Sequence, residues 1–289
     1  MIWVSSAIAV VGLAAYAWFI EPRRIRTREL RVELPGPEIR PLKLLHLSDF
    51  HFFEGQIHRR DALHRLAQDE YDLVFITGDL IDDDSGIDLC IEALKPFRAT
   101  HGAYAVMGNH DYVFFRADDL FPAGSDLNKK AWAYNDSGRL IAALQSIGVT
   151  VLRNQRTQIE IDGQALVIAG VDDPYLKKAD VAKTFAGYDP ALPCLTLAHA
   201  PEKYAEIAAA GADMVFCGHT HGGQICAPFI GPIVTRTQAP RAFAAGMTRL
   251  NGMVHFTTNG LGSSRITRPR FLCPPEAVVF DLRFGSRQD

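Results

Sequence analysis

The chain has 289 residues, 48% of them hydrophobic and 22% charged, with a formal net charge of −3 at pH 7. That length and composition provide for one large domain or two small ones with an ample core, and they exclude a disordered chain. The near-neutral balance supplies no global basic field, so nucleic acid is not an expected partner and any anionic ligand must be met by a local cluster.

In chain order the first feature is residues 2–20, "IWVSSAIAVVGLAAYAWFI", which carry no charge. As an α-helix they would extend roughly 28 Å, about one hydrocarbon thickness. Trp3, Tyr16 and Trp18 sit near the two ends, where amphipathic rings favour the membrane interface. The expectation is a single transmembrane helix over 1–21. Ala15-Tyr16-Ala17 resembles a signal-peptide cleavage site, but no basic residue precedes the apolar part. Arginines follow it instead in "RRIRTR", so the positive-inside rule predicts a single-pass protein of the cytoplasmic membrane with its main domain on the cytoplasmic side. Five cysteines without paired spacing fit that reducing compartment. Residues 22–41 read as a basic juxtamembrane segment and linker, ending in the Pro- and Gly-rich "ELPGPEIRP". The main domain is expected over 42–289.

From there, five apolar runs of strand length each stop at a cluster of Asp, His or Asn. "LKLLHLS" leads to Asp49 and His51, "YDLVFIT" to Gly78 and Asp79, and "GAYAVM" to Gly108, Asn109 and His110. "CLTLA" leads to His199, and "DMVFC" to Gly218, His219 and His221. Unbroken apolar runs mark strands buried on both faces, and loops leaving such strands can aim functional side chains. Four amphipathic helix patterns lie between them, in "RRDALHRLAQ", "GIDLCIEALKPF", "SGRLIAALQSIG" and "PEKYAEIAAAG". Alternating strand and helix makes the class α/β. Glycines beside the clusters leave room for tight turns and close approach to an ion.

Carboxylates, imidazoles and an amide oxygen without cysteine make an oxygen and nitrogen ligand set, suited to manganese, iron or zinc in a catalytic site. The groups outnumber the needs of one ion, whereas two ions roughly 3.5–4 Å apart would use them and could clamp a phosphoryl group. In this order, "DFH", "GD", "GNHD", a lone histidine and "GHTH" resemble the calcineurin-like metallophosphoesterases over about residues 42–282. "GHTHGGQI", "GVDDP", "AHAPE" and "FLCPPE" look like a bacterial membrane-anchored subgroup of phosphodiesterases and lipid A pathway enzymes that hydrolyse UDP-2,3-diacylglucosamine.

The resemblance implies a four-layer αββα sandwich of two mixed sheets. It implies a first divalent metal on Asp49, His51 and His221, a second on Asn109, His199 and His219, and Asp79 bridging them. Manganese is the first choice, with iron, zinc and magnesium as alternatives. His110 would act as the proton donor to the leaving group, oriented by Asp111, while water activated by the ions attacks phosphorus in line. The substrate would be a phosphodiester or pyrophosphate, lipid-linked if the anchor holds the site at a bilayer. A general phosphodiesterase and an inactive membrane scaffold are the alternatives.

Four further features stand outside the motif. Asp82, Asp83 and Asp84 read as a solvated turn, with Asp82 a candidate buttress for the ligand loop. Where protein Ser/Thr phosphatases of the superfamily carry an arginine after the "GDxxD" block, this chain has Asp83, which argues against that activity. Arg265, in the arginine-rich "GLGSSRITRPRF", is the candidate for binding substrate phosphate. His46, His58, His64, His101 and His255 fit no block and are assigned to the surface or to supporting roles. The aromatic segment 112–134, with Phe114, Phe115, Leu120, Phe121 and Trp132, reads as a lid over a lipid-like substrate.

Overall fold

The computed structural model describes residues 2–115 and 133–285. Helix α1 (Ile2–Ala15) is followed by a π turn over Tyr16–Ile20 and a short 3-10 turn over Glu21–Arg23. Strands β1 (Arg26–Pro35) and β2 (Leu42–Leu47) lead to α2 (Ile57–Leu66), β3 (Leu73–Thr77), α3 (Ile87–Leu94) and β4 (Ala103–Val106). The one-turn α4 (Asn109–Tyr112) opens into the ribbon of β5 (Val113–Phe114) and β6 (Ala133–Tyr134). Next come α5 (Ser137–Ser146), β7 (Val149–Val151), β8 (Gln155–Ile161), β9 (Gln164–Val171) and α6 (Val181–Phe185). The chain continues with β10 (Cys194–Ala198), α7 (Tyr204–Ala209), β11 (Met214–Cys217) and the ribbon of β12 (Cys226–Ala227) and β13 (Gly231–Pro232). It closes with β14 (Gly246–Leu250), β15 (Met253–Thr257) and β16 (Glu276–Gly285).

Two six-stranded mixed sheets result, in the orders β1-β16-β2-β3-β4-β7 and β14-β15-β11-β10-β9-β8. Parallel pairing runs from β2 through β3 and β4 to β7, and from β15 through β11 and β10 to β9. The sheets face each other through Leu44, Phe75, Phe216, Phe256 and Phe280, all fully buried. On the outer face of the first sheet, Leu63, Cys90, Leu140 and Leu144 from α2, α3 and α5 pack on Leu45, Val74 and Ile76. On the outer face of the second, Val181, Phe185 and Ile207 pack on Val167 and Val215. Helices, two sheets and helices therefore form four layers around a central apolar seam, as β-strands buried on both faces require. β2, β3, β4, β10 and β11 are the five runs that end at a motif block, and their carboxyl ends meet where the two sheets open.

Two expectations need correction. Residues 22–41 are not a linker, because β1 pairs with β16 in parallel register over ten residues, from Arg26 with Glu276 to Pro35 with Gly285. Leu30, Val32 and Leu34 alternate with Glu29, Arg31 and Glu33, the period of a half-buried strand, and Val32 and Leu34 are buried. The single transmembrane helix is also not found. α1 has 14 residues, about 21 Å at 1.5 Å per residue, and among the described residues no helix is long and apolar enough to cross a membrane.

Candidate metal centre

Three loops converge first. After β2 the chain turns at Asp49 (φ 55°) and His51 (φ 46°), after β3 at Asp79 (φ 52°), and after β11 at His219 (φ 68°) and His221 (φ 51°). Five of the seven expected ligands thus occupy the left-handed region, which non-glycine residues rarely adopt and which costs of order 1–3 kcal/mol each. The glycines between them are needed for space as much as for conformation. A methyl group on Gly108 would overlap Asp79 Oδ1, and one on Gly218 would overlap Ser48 Oγ and Asp49 Oδ2. All seven residues are buried.

Donor atoms of Asp49, His51 and His221 lie close enough to hold an ion, as do those of Asp79, His199 and His219, and a third group of His51, Asp79 and His110 includes the residue expected to be a proton donor. Asp79 belongs to two of the groups, with its Oδ2 3.5 Å from His51 Nε2 and its Oδ1 3.3 Å from His199 Nε2. In the first trio, His51 Nε2 and His221 Nε2 are 3.1 Å apart, and Asp49 Oδ1 is 3.8 Å from His221 Nε2. In the second, His219 Nδ1 faces His199 Nε2 at 3.3 Å. Asn109, at the start of α4, has its Oδ1 buried and without a hydrogen-bond partner. An orphaned, buried amide oxygen in the loop whose next residue, His110, donates its backbone N–H to Asp79 is what a cation ligand leaves when protein groups alone are considered.

Partners behind the rings fix which nitrogen faces inward. His199 Nδ1 donates to the Thr77 carbonyl at 2.7 Å, His51 Nδ1 to Asp82 Oδ1 at 3.1 Å, and His219 Nε2 to the Arg236 carbonyl at 3.1 Å. In each case the other nitrogen is left for a ligand role. His221 is the exception, since its Nδ1 faces a donor, Arg270 Nη2, at 3.1 Å.

The charges follow from burial and these contacts. Burial opposes ionisation of Asp79, but the charges of His199 and His110 outweigh it and hold the carboxyl well below the usual carboxylate range. For Asp49 burial prevails and the carboxyl is raised, with His199 only partly offsetting it. Burial also acts against a charged His199, yet Asp79 overrides it and raises the imidazole well above its ordinary value. A divalent ion between Asp79, His199 and His219 would take over the charge that this proton supplies. Burial, then the charge of His199, brings His219 down to about 3, and burial with His51 and Arg270 holds His221 well below the usual range. Both rings are neutral, the form a metal requires. The oxygen and nitrogen donor set and the orphaned amide oxygen fit divalent cations.

His110 stands at the rim, half-buried, its ring 4.5 Å from that of His51. Its backbone N–H donates to Asp79 Oδ1 at 2.8 Å, and its Nδ1 lies 3.1 Å from Asp82 Oδ1, although not aligned as a hydrogen bond. Burial would lower this imidazole, but Asp79 and Asp82 outweigh it and raise it. The expected orienting group, Asp111, does not serve that purpose. Its carboxylate accepts from the backbone N–H groups of Leu80 at 2.7 Å, Ile81 at 3.2 Å and Gly108 at 2.8 Å, tying the β3 loop to the β4 loop. Burial, then the charge of Asp79, pushes it up to about 7 against those bonds.

Asp82 occupies the position expected of Asp111. It is buried, not part of a solvated turn, and accepts from His51 Nδ1, from Arg265 N at 2.7 Å and from Ser264 Oγ at 3.3 Å. Burial resists its ionisation, but His110 and His51 hold it far below the carboxylate range. Arg265 does reach the site's edge, paired with Asp83 and Asp82 and lying over the rings of Phe53 and Phe114. Arg270, weighed only as a member of the arginine cluster, is fully buried and donates to the carbonyls of Asn259 at 2.8 Å and Cys273 at 3.1 Å. Nothing in the motif singled out Tyr175, whose ring lies 4.9 Å from that of His219; the "GVDDP" block just before it was the available signal. Of the aromatic lid, Phe114 and Phe115 lie beside the site, with Phe115 4.6 Å from His110, whereas Leu120, Phe121 and Trp132 fall outside the described residues.

Two sheets whose adjoining strand ends assemble buried carboxylates and imidazoles around Asp79 define a metal-dependent phosphoesterase centre. The chain belongs to the calcineurin-like phosphoesterase family, whose sequence profile matches residues 42–223, more than half of the chain. Among its relatives, phosphodiesterase YaeI of Escherichia coli is 27% identical over 283 residues, covering 96% of each chain. The uncharacterized metallophosphoesterase YkuE of Bacillus subtilis is 27% identical over 290 residues, covering 96% of this chain and 93% of that protein. The UDP-2,3-diacylglucosamine pyrophosphatase LpxG of Chlamydia trachomatis is 24% identical over 318 residues, covering 95% and 94%. The chain is accordingly a phosphoester hydrolase of the metal-binding type.

Proposed function

We propose that this enzyme hydrolyses a phosphodiester or pyrophosphate bond with two divalent cations, manganese foremost and iron, zinc or magnesium as alternatives, and that its substrate is lipid-linked. The observation that carries the reading is that Asp79 lies within reach both of His51, in a trio with Asp49 and His221, and of His199 and His219, with the unpartnered Asn109 oxygen in the adjoining loop. Asp49, His51 and His221 would hold one ion, Asn109, His199 and His219 the other, and Asp79 both. When bound, the ions supply the positive charge that activates water and stabilises the phosphoryl oxygens. His110, sited at the rim beside Asp79 and Asp82, would donate a proton to the departing oxygen. Asp82 would keep His51 and His110 in register, and Arg265, paired with Asp82 at the site's edge, would meet a second phosphate of a pyrophosphate substrate.

Support for a lipid substrate comes from α1 and the turn after it, where Ile8, Val10, Val11, Leu13, Trp18, Phe19 and Ile20 are exposed. Such a surface is stable when embedded in or against a bilayer, and tethering there concentrates membrane substrates about the site. The relative LpxG, by its name a UDP-2,3-diacylglucosamine pyrophosphatase, makes nucleotide-linked lipids the first class to test.

Metal content of the purified full chain should reach two ions, with hydrolysis of a chromogenic diester lost on chelation and restored by refilling. The same preparation should turn over detergent-solubilised UDP-2,3-diacylglucosamine faster than soluble diesters. Equal rates would favour a general phosphodiesterase, and metal-replete protein inactive on every ester would favour a scaffold. His110→Ala should lower kcat about 10²–10⁴-fold with metal content unchanged; loss of metal along with activity would make His110 a ligand.

A further inference from the structure

A cavity of about 130 Å³ lies between the end of the N-terminal helical segment and the 263–273 loop, walled by Trp18, Phe19, Phe53, Arg23, Arg59 and Arg268. Its helical wall is clamped in place. Glu21 N closes on the Tyr16 carbonyl, the wider spacing of a π turn, which frees the Ala17 carbonyl to accept from Arg270 N at 2.9 Å. The buried Glu21 carboxylate accepts from Cys273 N at 2.6 Å.

On the opposite wall, Arg59 is only 7% exposed. Its terminal nitrogens are committed to the carbonyls of Phe50, His51 and Ser263, at 2.7, 2.8 and 3.1 Å. Its Nε is buried without a partner. Gln56 on the same wall also has a buried, unpartnered amide oxygen, and a half-turn of that amide presents its N–H group instead. No carboxylate lines the cavity among the described residues, and Arg268 lies over the Phe53 ring at 5.9 Å. Arg23 and Arg268 are exposed, with Arg268 Nε donating to the Arg265 carbonyl at 3.2 Å, so three guanidinium groups and one buried, unpartnered Nε face a small space without a carboxylate, a setting that suits an oxyanion. Trp18 and Phe19 both line the cavity and, with the next residue Ile20, are exposed, which offers apolar surface for chains attached to an anion seated there.

We propose that this cavity binds the phosphate of an amphiphilic phosphodiester, with the oxyanion on Arg23, Arg268 and Arg59 Nε and the chains along Trp18, Phe19 and Ile20. The site uses none of the residues of the metal centre and goes beyond the reading of its chemistry. Its test uses the full-length, metal-replete protein in maltoside detergent, with Trp3→Phe and Trp132→Phe leaving Trp18 as the fluorophore. Short-chain dihexanoyl phosphatidylglycerol and inorganic phosphate are titrated separately. A saturable change in Trp18 emission with the lipid, weakened at least tenfold in Arg23→Gln/Arg268→Gln, is expected. A matching response to inorganic phosphate would make free phosphate the source and keep the oxyanion site. No saturable response to either probe, or undiminished affinity in the double variant, overturns the assignment. Hydrolysis of a soluble chromogenic diester by the double variant should remain at the parent level; a fall there would put these arginines in the active site and also overturn it.

Discussion

Asp82 illustrates how much a single carboxylate can decide. One oxygen lies 3.1 Å from Nδ1 of His51 and 3.1 Å from Nδ1 of His110, while the other accepts from Arg265 N. Removing its charge would disturb at once the tautomer of His51, a ligand in the proposed mechanism, and His110, its proposed proton donor. Asp82→Asn should therefore cost about 10–100-fold in metal affinity or activity, the usual effect of losing a group behind a ligand. It should also shift the alkaline-side inflection of the diesterase pH profile downward, because a proton donor must stay protonated and a carboxylate that raises His110 is gone. An unchanged profile at full metal loading would disconnect Asp82 from the proton donor. In sequence, Asp82 is one of three consecutive aspartates, and nothing local separates the buried one from its neighbours. Asp111 stood next to His110 in the motif but is turned away, spent on three backbone N–H groups.

At the scale of elements, the strand ends that bear the ligands were readable because unbroken apolar runs and a polar stop are local signals. β1 was not read, since "ELPGPEIRP" marks a break and the arginines before it suit a membrane flank. Its alternation of Leu30, Val32 and Leu34 with charged residues is that of a strand with one face on the core, and Leu34 packs in the seam between the sheets. Leu34→Ala should lower stability by ~2–5 kcal/mol, the range for truncating a buried leucine. Urea unfolding would measure it, and a change under about 0.5 kcal/mol, as for surface sites, would demote β1 to an ornament on the domain.

The whole molecule carries five histidines that the motif left unassigned and that the sequence placed at the surface or in support of the site, and two of them lie in the interior. His46 and His255 are both completely buried. His46 bonds Thr77 Oγ1 at 2.8 Å and so backs the residue that holds His199, whereas neither ring nitrogen of His255 has a partner. Burial lowers His46 to about 3 and His255 to about 4. Below the ordinary value of about 6.5 the unfolded chain takes up protons that the folded state refuses, so stability is complete above that pH and declines as pH falls toward 4. His255→Phe keeps the edge-on contact with Phe243 at 4.9 Å and removes one such proton. Urea midpoints of metal-replete protein between pH 7 and 5 should fall less steeply in the variant; parallel slopes would mean that His255 is protonated in the fold.

By itself the sequence determined the chemistry of this protein: which side chains could hold cations, the order in which strand ends deliver them, and the α/β class that brings such ends together. Those signals are local in the chain. The tertiary structure alone decided which carboxylate supports His51 and His110, that Asp111 fastens backbone, that residues 26–35 join a sheet, and that a cationic cavity forms under the helix end. Each depends on a contact between distant segments, such as Arg26 with Glu276 or Ala17 with Arg270, whose partner is chosen by the packing of two sheets and not by any neighbour in sequence.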